Sequence, residues 1–231
     1  MYLPNCYQVN DSTHRISDRE FSRAELGLPA HAVVFCCFNT VHKVLSKTFD
    51  GWIRILSAVE NSFLWLLYHN PSATQNIRMQ AEARGVDPNR LVFAPRMPLP
   101  EHLARHRVAD LFIDTLPYNA YTTARDALWA GLPVLTCMGN SFAARVAGSL
   151  LMAIDLPELV THTQKDFESK AIEYAKNPVA LTKIKLKLLE NMTDGSLFNG
   201  PLLTRHIEEA YRVIRARRQS GLPPEHFAVK S

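Results

Sequence analysis

The stretch that decides the fold is Asp114-Thr-Leu-Pro-Tyr-Asn-Ala-Tyr-Thr-Thr-Ala-Arg-Asp-Ala-Leu-Trp-Ala-Gly-Leu-Pro-Val-Leu135. It leads from the end of an apolar run through a polar turn into a segment with helical periodicity, and then into a second apolar run. We predict a helix from Thr122 to Ala130, because Gly131 followed by Leu-Pro133 is typical of a helix end. A strand, a turn, a helix and a second strand in this order form the unit from which parallel α/β sheets are built.

The polar turn before this helix has the features of a phosphate-binding site. Thr122 and Thr123 place two hydroxyl groups beside the unpaired N–H groups of a helix N-terminus, where the helix dipole attracts anions. Asp126 lies one turn further on, where a carboxylate can receive sugar hydroxyls. A simpler interpretation is open at this point, because Thr123-Ala-Arg-Asp126 has approximately the spacing of a capping box. The spacing alone favours neither.

The chain up to Ser141 repeats this alternation of short apolar runs and longer amphipathic segments. Buried strands are predicted at Ala32 to Phe38, Phe63 to Tyr68, Leu91 to Phe93, Asp110 to Ile113 and Pro133 to Thr136. Helices are predicted at Lys47 to Glu60, Gln75 to Arg84, Pro100 to His106 and Thr122 to Ala130. The fold class is therefore α/β, a Rossmann-like parallel sheet. From Ala143 onward we predict a carboxyl-terminal helical segment that ends with an amphipathic helix from about Leu202 to Gln219.

Three regions follow from this pattern. Residues 24–222 are predicted to form one lobe that includes the terminal helices. Residues 1–23 lack a convincing periodicity, and we interpret them as a connector or a remnant of a preceding lobe. Residues 223–231 form a Pro-containing tail.

Composition excludes several classes of protein. The chain has 231 residues, of which 47% are hydrophobic, which is enough for a large core. Its net charge of +4 comes from signs interspersed along the chain, so it does not indicate nucleic acid binding. No apolar run has membrane-spanning length, no signal peptide is evident, and the four cysteines lack metal-ligand spacing. We expect a cytoplasmic protein with reduced thiols, no metal site and no membrane or nucleic acid partner.

Two further positions can carry chemistry. Lys43 follows the first predicted strand, at the sheet edge where open α/β folds bind ligands, and a lysine there can reach a phosphate. His102 and Arg105 are three residues apart on one helix face and can sandwich a flat base. For each, a solvated surface side chain is the alternative. Neither a Gly-rich dinucleotide loop nor a P-loop or nucleophile elbow is present in the sequence.

Several segments together resemble one known family. Phe38-Asn39 through Lys43, Pro98 through Arg105, Asp114 through Gly131, Ser141 through Ala147, and Ser196-Leu-Phe-Asn199 occur in the order found in the protein O-linked N-acetylglucosamine transferases. The chain resembles the carboxyl-terminal catalytic lobe of this family, which is the nucleotide-sugar half of a two-lobed GT-B glycosyltransferase. The resemblance implies UDP-N-acetylglucosamine as the donor, a protein serine or threonine hydroxyl as the acceptor, inversion at the anomeric carbon, and no metal or other cofactor.

The resemblance also implies roles for individual residues. Lys43 would be catalytic and would stabilise the UDP leaving group as its negative charge develops. The other positions would bind the donor: Thr122 and Thr123 at the diphosphate, Asp126 at the ribose hydroxyls, His102 and Arg105 at the uracil ring, and the Met97 backbone at the uracil edge.

The chain departs from the family pattern at three positions. Thr40 stands where an amide side chain lies near the phosphates, Tyr121 stands where a histidine precedes the paired threonines, and Leu99 stands about where a lysine grips the nucleotide. Tyr121 can still donate a hydrogen bond, but Leu99 cannot replace a cation. These changes weaken the expected donor affinity.

The family's amino-terminal catalytic lobe and tetratricopeptide repeats have no counterpart in the sequence, so this chain would supply half of the cleft. We therefore expect weak UDP binding and little or no transfer by the chain alone, with the other lobe and the protein acceptor as partners. Two alternatives remain: a non-catalytic module that responds to UDP-sugars, and a scaffold that binds no ligand. The presence of Lys43, Thr122, Thr123 and Asp126 together argues against the scaffold.

Overall fold

The computed structural model describes residues 1–230, except for the side chain of Asp194. Six parallel strands form one sheet in the order β3-β2-β1-β4-β5-β6. The strands are β1 (Val33–Cys37), β2 (Ser62–Leu67), β3 (Leu91–Ala94), β4 (Leu111–Ile113), β5 (Val134–Cys137) and β6 (Val160–Thr161). The predicted Rossmann-like α/β fold is confirmed.

Helices connect the strands and cover the sheet. They are α1 (Ser46–Ala58), α2 (Pro71–Glu82), α3 (Leu99–Arg105), α4 (Thr122–Trp129), α5 (Val146–Ala153), α6 (Gln164–Lys176), α7 (Pro178–Asp194) and α8 (Gly200–Gln219). No helix in the described part of the chain combines the length and the apolar character needed to cross a bilayer.

The core lies on both faces of the sheet. β1, at its centre, contributes Val34, Phe35 and Cys36, none of which has measurable solvent exposure. Strands buried on both faces read as continuous apolar runs rather than alternating ones, and this explains why β1, β2 and β5 were detectable from the sequence. Phe35 pairs in register with Leu64 of β2 and Leu111 of β4. This pairing places the carboxyl ends of the central strands at one edge of the sheet.

α4 begins and ends where the sequence indicated. Its first residue is Thr122, and Gly131 adopts φ of 80° just beyond its last turn. The N–H of Leu132 donates to the carbonyl of Ala127 (2.8 Å), and the N–H of Gly131 donates to Leu128 (3.0 Å). These are the two hydrogen bonds of a Schellman motif, which favours glycine because its central residue is left-handed.

Two details of the prediction were wrong. The region after Ala143 is not purely helical, because the two residues of β6 extend the sheet next to β5. A strand of two residues is too short to show periodicity. α2 begins at Pro71 rather than near Gln75, since the side chain of Asn70 accepts the N–H of Ala73 (2.8 Å) and caps the helix.

The two chain ends lie together on the lobe. The N–H of Tyr2 donates to the Phe227 carbonyl (2.8 Å), and the N–H of Val229 donates to the Tyr2 carbonyl (2.9 Å). Further along, buried Asn10 donates to the Leu197 carbonyl (3.0 Å). The predicted connector 1–23 thus packs against the lobe, while the boundaries at 23 and 222 stay predictions.

Candidate functional site

The predicted site residues gather around the point where the strand order changes direction. From β1 the chain adds β2 and β3 on one side of the sheet, and then returns to add β4 on the other side. Ligands of open α/β sheets bind beyond the carboxyl ends of the two strands at such a switch point. The loop after β1 carries Lys43, and the loop after β4 leads to Thr122.

Lys43 reaches from the first loop to the second. It ends a short 3-10 helix, Val41–Lys43, and its Nζ donates to the carbonyl oxygen of Asn119 (2.8 Å). The Nζ atom also lies 4.0 Å from the ring centroid of Tyr118 and 4.8 Å from that of Tyr121. Burial lowers the pKa of Lys43, and the negative charge of Asp114 opposes that shift. The alternative of a solvated surface lysine is wrong.

The second loop is shaped by Asp114, a fully buried carboxyl at the end of β4. It accepts hydrogen bonds from the N–H of Thr115, the N–H of Ala120 and the hydroxyl of Thr136, each at 2.7 Å. Burial raises the pKa of Asp114 to about 6, although these hydrogen bonds act in the opposite direction. Because one carboxylate holds both ends of the loop, the path from Thr115 to Ala120 is fixed.

The N-terminus of α4 is open to an anion. No side chain caps it, and among residues 1–230 the N–H groups of Thr122, Thr123 and Ala124 have no acceptor. The capping-box interpretation is wrong, because the Thr123 hydroxyl donates to Oδ1 of Asn39 instead of capping the helix. Three unpaired N–H groups at the positive end of a helix dipole can bind phosphate oxygens.

Asp126 lies one turn further along α4 and is partly buried. Its Oδ1 pairs with Nη1 of Arg125 (2.9 Å), which also contacts Nδ1 of His14 (2.7 Å) in the amino-terminal segment. Burial raises the pKa of Asp126, and the positive charge of Arg125 opposes the shift. The carboxylate is thus held in place by one cation, and its other oxygen has no hydrogen bond from a described residue.

The predicted face of α3 is formed, but it points inward. Arg105 is fully buried: its guanidinium donates to the Pro95 carbonyl (2.5 Å) and lies 4.5 Å from the Phe38 ring centroid. Its Nη2 lies 2.5 Å from Nδ1 of His102. The alternative of a solvated pair is therefore wrong for Arg105. Its guanidinium holds the ring of His102 by a hydrogen bond. Whether these side chains pack on a base stays a prediction.

His102 is neutral at physiological pH. Burial, together with the charges of His106 and Arg105, lowers the pKa of His102 to about 3. Burial likewise lowers the pKa of His106 to about 4. Because Arg105 donates to Nδ1 of His102, the proton of the neutral imidazole resides on Nε2. The ring can thus offer a flat apolar face and one N–H donor to a ligand.

The other predicted donor-binding positions lie around these two loops. Met97 lies in the loop between β3 and α3, partly buried, and Leu99 begins α3 with 41% exposure. The hydroxyl of Thr40 lies 3.2 Å from Nε2 of His42. Tyr121 precedes α4 directly, and its ring packs on Tyr118 with 5.4 Å between centroids. Their roles at a donor remain predictions.

Sequence reasoning missed three residues that organise the site. Asp114, Asn39 and Asn119 are buried. The Asn39 side chain donates to Asp114 and so connects the loops after β1 and β4, while the Asn119 side chain donates to the Thr115 carbonyl within the second loop. The signal for Asp114 and Asn39 was a polar residue directly after a buried apolar strand. In residues 1–230 no group of three or more His, Cys, Asp or Glu side chains is placed to hold a metal ion.

Comparison with known proteins shows which family the sequence matches. Residues 14–207 match the model of glycosyl transferase family 41. The UDP-N-acetylglucosamine--peptide N-acetylglucosaminyltransferase of Caenorhabditis elegans is 37% identical over 89% of this chain, which corresponds to 18% of that protein. The probable enzyme of the same name, SEC, from Arabidopsis thaliana is 33% identical over 99% of this chain and 24% of its own length.

A solved structure shares the fold. A mutant of the O-GlcNAc transferase of Thermobaculum terrenum superposes with a TM-score of 0.77 and 31% identity, over 85% of this chain and 39% of that one. The chain therefore spans about a fifth of the curated relatives and less than half of the solved structure. The family match, the sequence identities and the shared fold show that the chain belongs to glycosyl transferase family 41.

Proposed function

We propose that this chain is the donor-binding lobe of a glycosyltransferase that moves N-acetylglucosamine from UDP-N-acetylglucosamine to serine or threonine hydroxyls of proteins. The observation that carries the proposal is a lysine ammonium held by the loop that leads into an uncapped helix N-terminus, at the switch point of the sheet. Relatives that bear the corresponding enzyme name support the choice of sugar and acceptor.

The donor would lie across the carboxyl edge of the sheet. Its diphosphate would accept hydrogen bonds from the unpaired N–H groups of α4, from the Thr122 hydroxyl and from Lys43. Asp126 would accept the ribose hydroxyls. The uracil would lie on His102, whose ring Arg105 holds from below, with its edge against the Met97 backbone. Thr40 and Tyr121 would line the phosphate end.

Lys43 would act on the transition state. As the acceptor hydroxyl attacks the anomeric carbon with inversion and gives up its proton to a base, the bond from that carbon to the β-phosphate oxygen breaks and negative charge accumulates on UDP. A positioned ammonium in a partly buried site stabilises this charge by several kcal/mol, on the order of what one preorganised donor supplies. The proposal thereby gives Lys43 and the α4 N-terminus the role of neutralising the leaving group, without a metal ion.

The complete activity would need more than this chain. We propose that an amino-terminal catalytic lobe, associated with tetratricopeptide repeats, completes the cleft and recognises the protein acceptor. The reaction would take place in the cytoplasm, a compartment compatible with four free, buried cysteine thiols.

Calorimetric titration of the purified chain with UDP and with UDP-N-acetylglucosamine tests the proposal. We expect saturable binding in the micromolar range, about −8 kcal/mol, and little or no transfer of labelled sugar to a serine-containing peptide. The control ligand is ADP, whose purine should fit the base site poorly. Equal affinity for UDP and ADP, or no binding of either, would contradict the proposed donor.

A further inference from the structure

The ammonium of Lys43 is enclosed by a single loop. The carbonyl of Asn119 accepts a hydrogen bond from Nζ (2.8 Å), and the rings of Tyr118 and Tyr121 lie 4.0 Å and 4.8 Å from it. All three groups come from the four residues that lead into α4. Both ring distances are within the range in which an aromatic face attracts a cation.

Hydrogen bonds fix the conformation of the loop that contacts Lys43. The Asn119 side chain donates to the Thr115 carbonyl (3.1 Å), and the Asn119 backbone N–H donates to the Ala143 carbonyl (2.9 Å). The Thr115 hydroxyl donates to the carbonyl of Tyr118 (2.6 Å), which fixes the backbone that carries the first ring. The ring of Tyr121 also packs edge-on against the ring of Phe142, at 6.2 Å between centroids.

The kind of contact that holds Lys43 decides whether its positive charge can act on a bound anion. A lysine beside a helix N-terminus is repelled by the positive end of the dipole, so something must hold it there. A carboxylate partner would hold it but would cancel its charge. The buried Asp114 acts on Lys43 only from beyond ion-pair distance, and all other described carboxylates also lie beyond that distance. The ring faces attract the ammonium and leave its net charge available.

We propose that Tyr118 and Tyr121 are positioning residues that clamp the Lys43 ammonium beside the N-terminus of α4 and so set its contribution to diphosphate binding. This inference rests on the proposed function. Tyr118 carries the larger share, because its ring is the nearer and its exposure of 42% leaves it free of core packing. The aromatic ring is what counts, not the phenol hydroxyl.

The clamp itself is tested without any ligand. In an NMR spectrum of the chain with ¹³C-labelled lysine, the Cε protons of Lys43 should be shifted upfield by the ring current of Tyr118. The Lys43→Met variant identifies this resonance by its loss. We expect the upfield shift to persist in Tyr118→Phe and to become smaller in Tyr118→Leu, in which only the more distant ring of Tyr121 remains. An ordinary lysine shift in the unaltered chain would overturn the inference.

The functional consequence is read from the ratio of the uridine and UDP dissociation constants. Uridine lacks the diphosphate, so a general structural defect would weaken both ligands alike, whereas a misplaced Lys43 weakens UDP alone. We expect Tyr118→Leu to lower the preference for UDP by about 2- to 30-fold and Tyr118→Phe to preserve it. Tyr211→Leu, the same substitution at an exposed ring on α8 that is not in contact with Lys43, Tyr118 or Tyr121, should also preserve it.

The outcomes separate the two proposals. Binding of UDP by the unaltered chain with an unchanged preference in Tyr118→Leu would overturn the positioning role and leave the donor site intact. Failure of the unaltered chain to prefer UDP over uridine would overturn the proposed function, and the positioning role with it. A reduced preference in Tyr118→Phe equal to that in Tyr118→Leu would assign the effect to the hydroxyl and refute the clamp.

Discussion

The two ends of the proposed donor site are built in opposite ways. At the phosphate end, the N–H groups that begin α4 have no acceptor among the described residues, and Lys43 is held by ring faces and one carbonyl. At the base end, Arg105 is fully buried and joined by hydrogen bonds to Pro95 and His102. The hydrogen-bond donors of the phosphate end are available to a ligand, whereas the guanidinium of the base end donates to groups of the protein.

This difference separates stability from affinity. Groups that are already satisfied by the protein stabilise the fold, and their loss leaves buried atoms unpaired. Groups that are left open contribute little to folding but interact strongly with an anion that arrives. We therefore expect changes at the base end to act mainly on the free energy of unfolding, and changes at the phosphate end mainly on UDP binding.

The largest expected effect is on stability at the base end. Arg105→Met keeps much of the buried volume but removes the donors to Pro95 and His102, so we expect a loss of about 2–4 kcal/mol of unfolding free energy. Lys43→Met is the matched variant, a lysine changed to the same side chain at the phosphate end. It should change the unfolding free energy by less than about 1 kcal/mol.

Urea denaturation of both variants, followed by circular dichroism, makes this comparison. Equal destabilisation by the two substitutions would show that the ends do not differ as described.

A second effect, of intermediate size, comes from the neutral histidines. The pKa values of His102 and His106 are lowered by burial to about 3 and about 4, against about 6.5 in the unfolded chain. Between pH 6.5 and 4 the unfolded state binds more protons, so stability falls as the pH is lowered. Each histidine contributes about 1.4 kcal/mol per pH unit in this range.

Asp114 acts in the opposite direction. Burial raises its pKa to about 6, so below that pH the folded state takes up the proton first and stability is gained. Between pH 6 and 4, the stability gained through Asp114 offsets the stability lost through about one histidine. The free energy of unfolding should therefore fall by roughly 2–3 kcal/mol over this range. In His102→Gln the loss over this range should nearly vanish, because one histidine and Asp114 then cancel. Denaturation at pH 7, 6, 5 and 4 checks this, and an unchanged slope in the variant would argue against a buried neutral His102.

The smallest expected effect is at the far end of α4. Gly131→Ala places a Cβ on a residue with φ of 80° and 3.3 Å from Cδ2 of Leu189, which should lower stability by about 1–2 kcal/mol. Gly85→Ala is the matched control, with the same φ and no atom within 4 Å. The difference between the two measures the contact with Leu189. Neither should alter the preference for UDP over uridine, and a change in Gly131→Ala would mean that the α4 N-terminus depends on its far end.

Local sequence signals were enough for most of the fold. Five of the six strands and the start of α4 were predicted, because buried strands are continuous apolar runs and Gly131 marks a helix end. β6 was missed because its two residues carry no periodicity. The helix N-terminus was recognisable as a place for an anion, but the spacing of Thr123 and Asp126 could not show that the Thr123 hydroxyl belongs to Asn39.

Contacts between segments that are distant in the chain could not be predicted from the sequence. Lys43 and Tyr118 lie 75 positions apart in the chain and meet only because β1 and β4 are neighbours in the sheet. The same holds for His14 and Arg125. Arg105 was expected on a solvated or ligand-facing surface, since arginine is seldom fully buried, and only the surrounding Phe38, Trp65 and Pro95 explain its place.

The central claim is that Lys43 and the α4 N-terminus form a diphosphate site, and NMR titration with UDP and with uridine tests it most directly. Lys43→Met should weaken UDP binding by about 10- to 100-fold, as expected for the loss of a charge-assisted hydrogen bond, and leave uridine binding unchanged. Equal weakening of both ligands, or an unchanged affinity for UDP, would contradict the account.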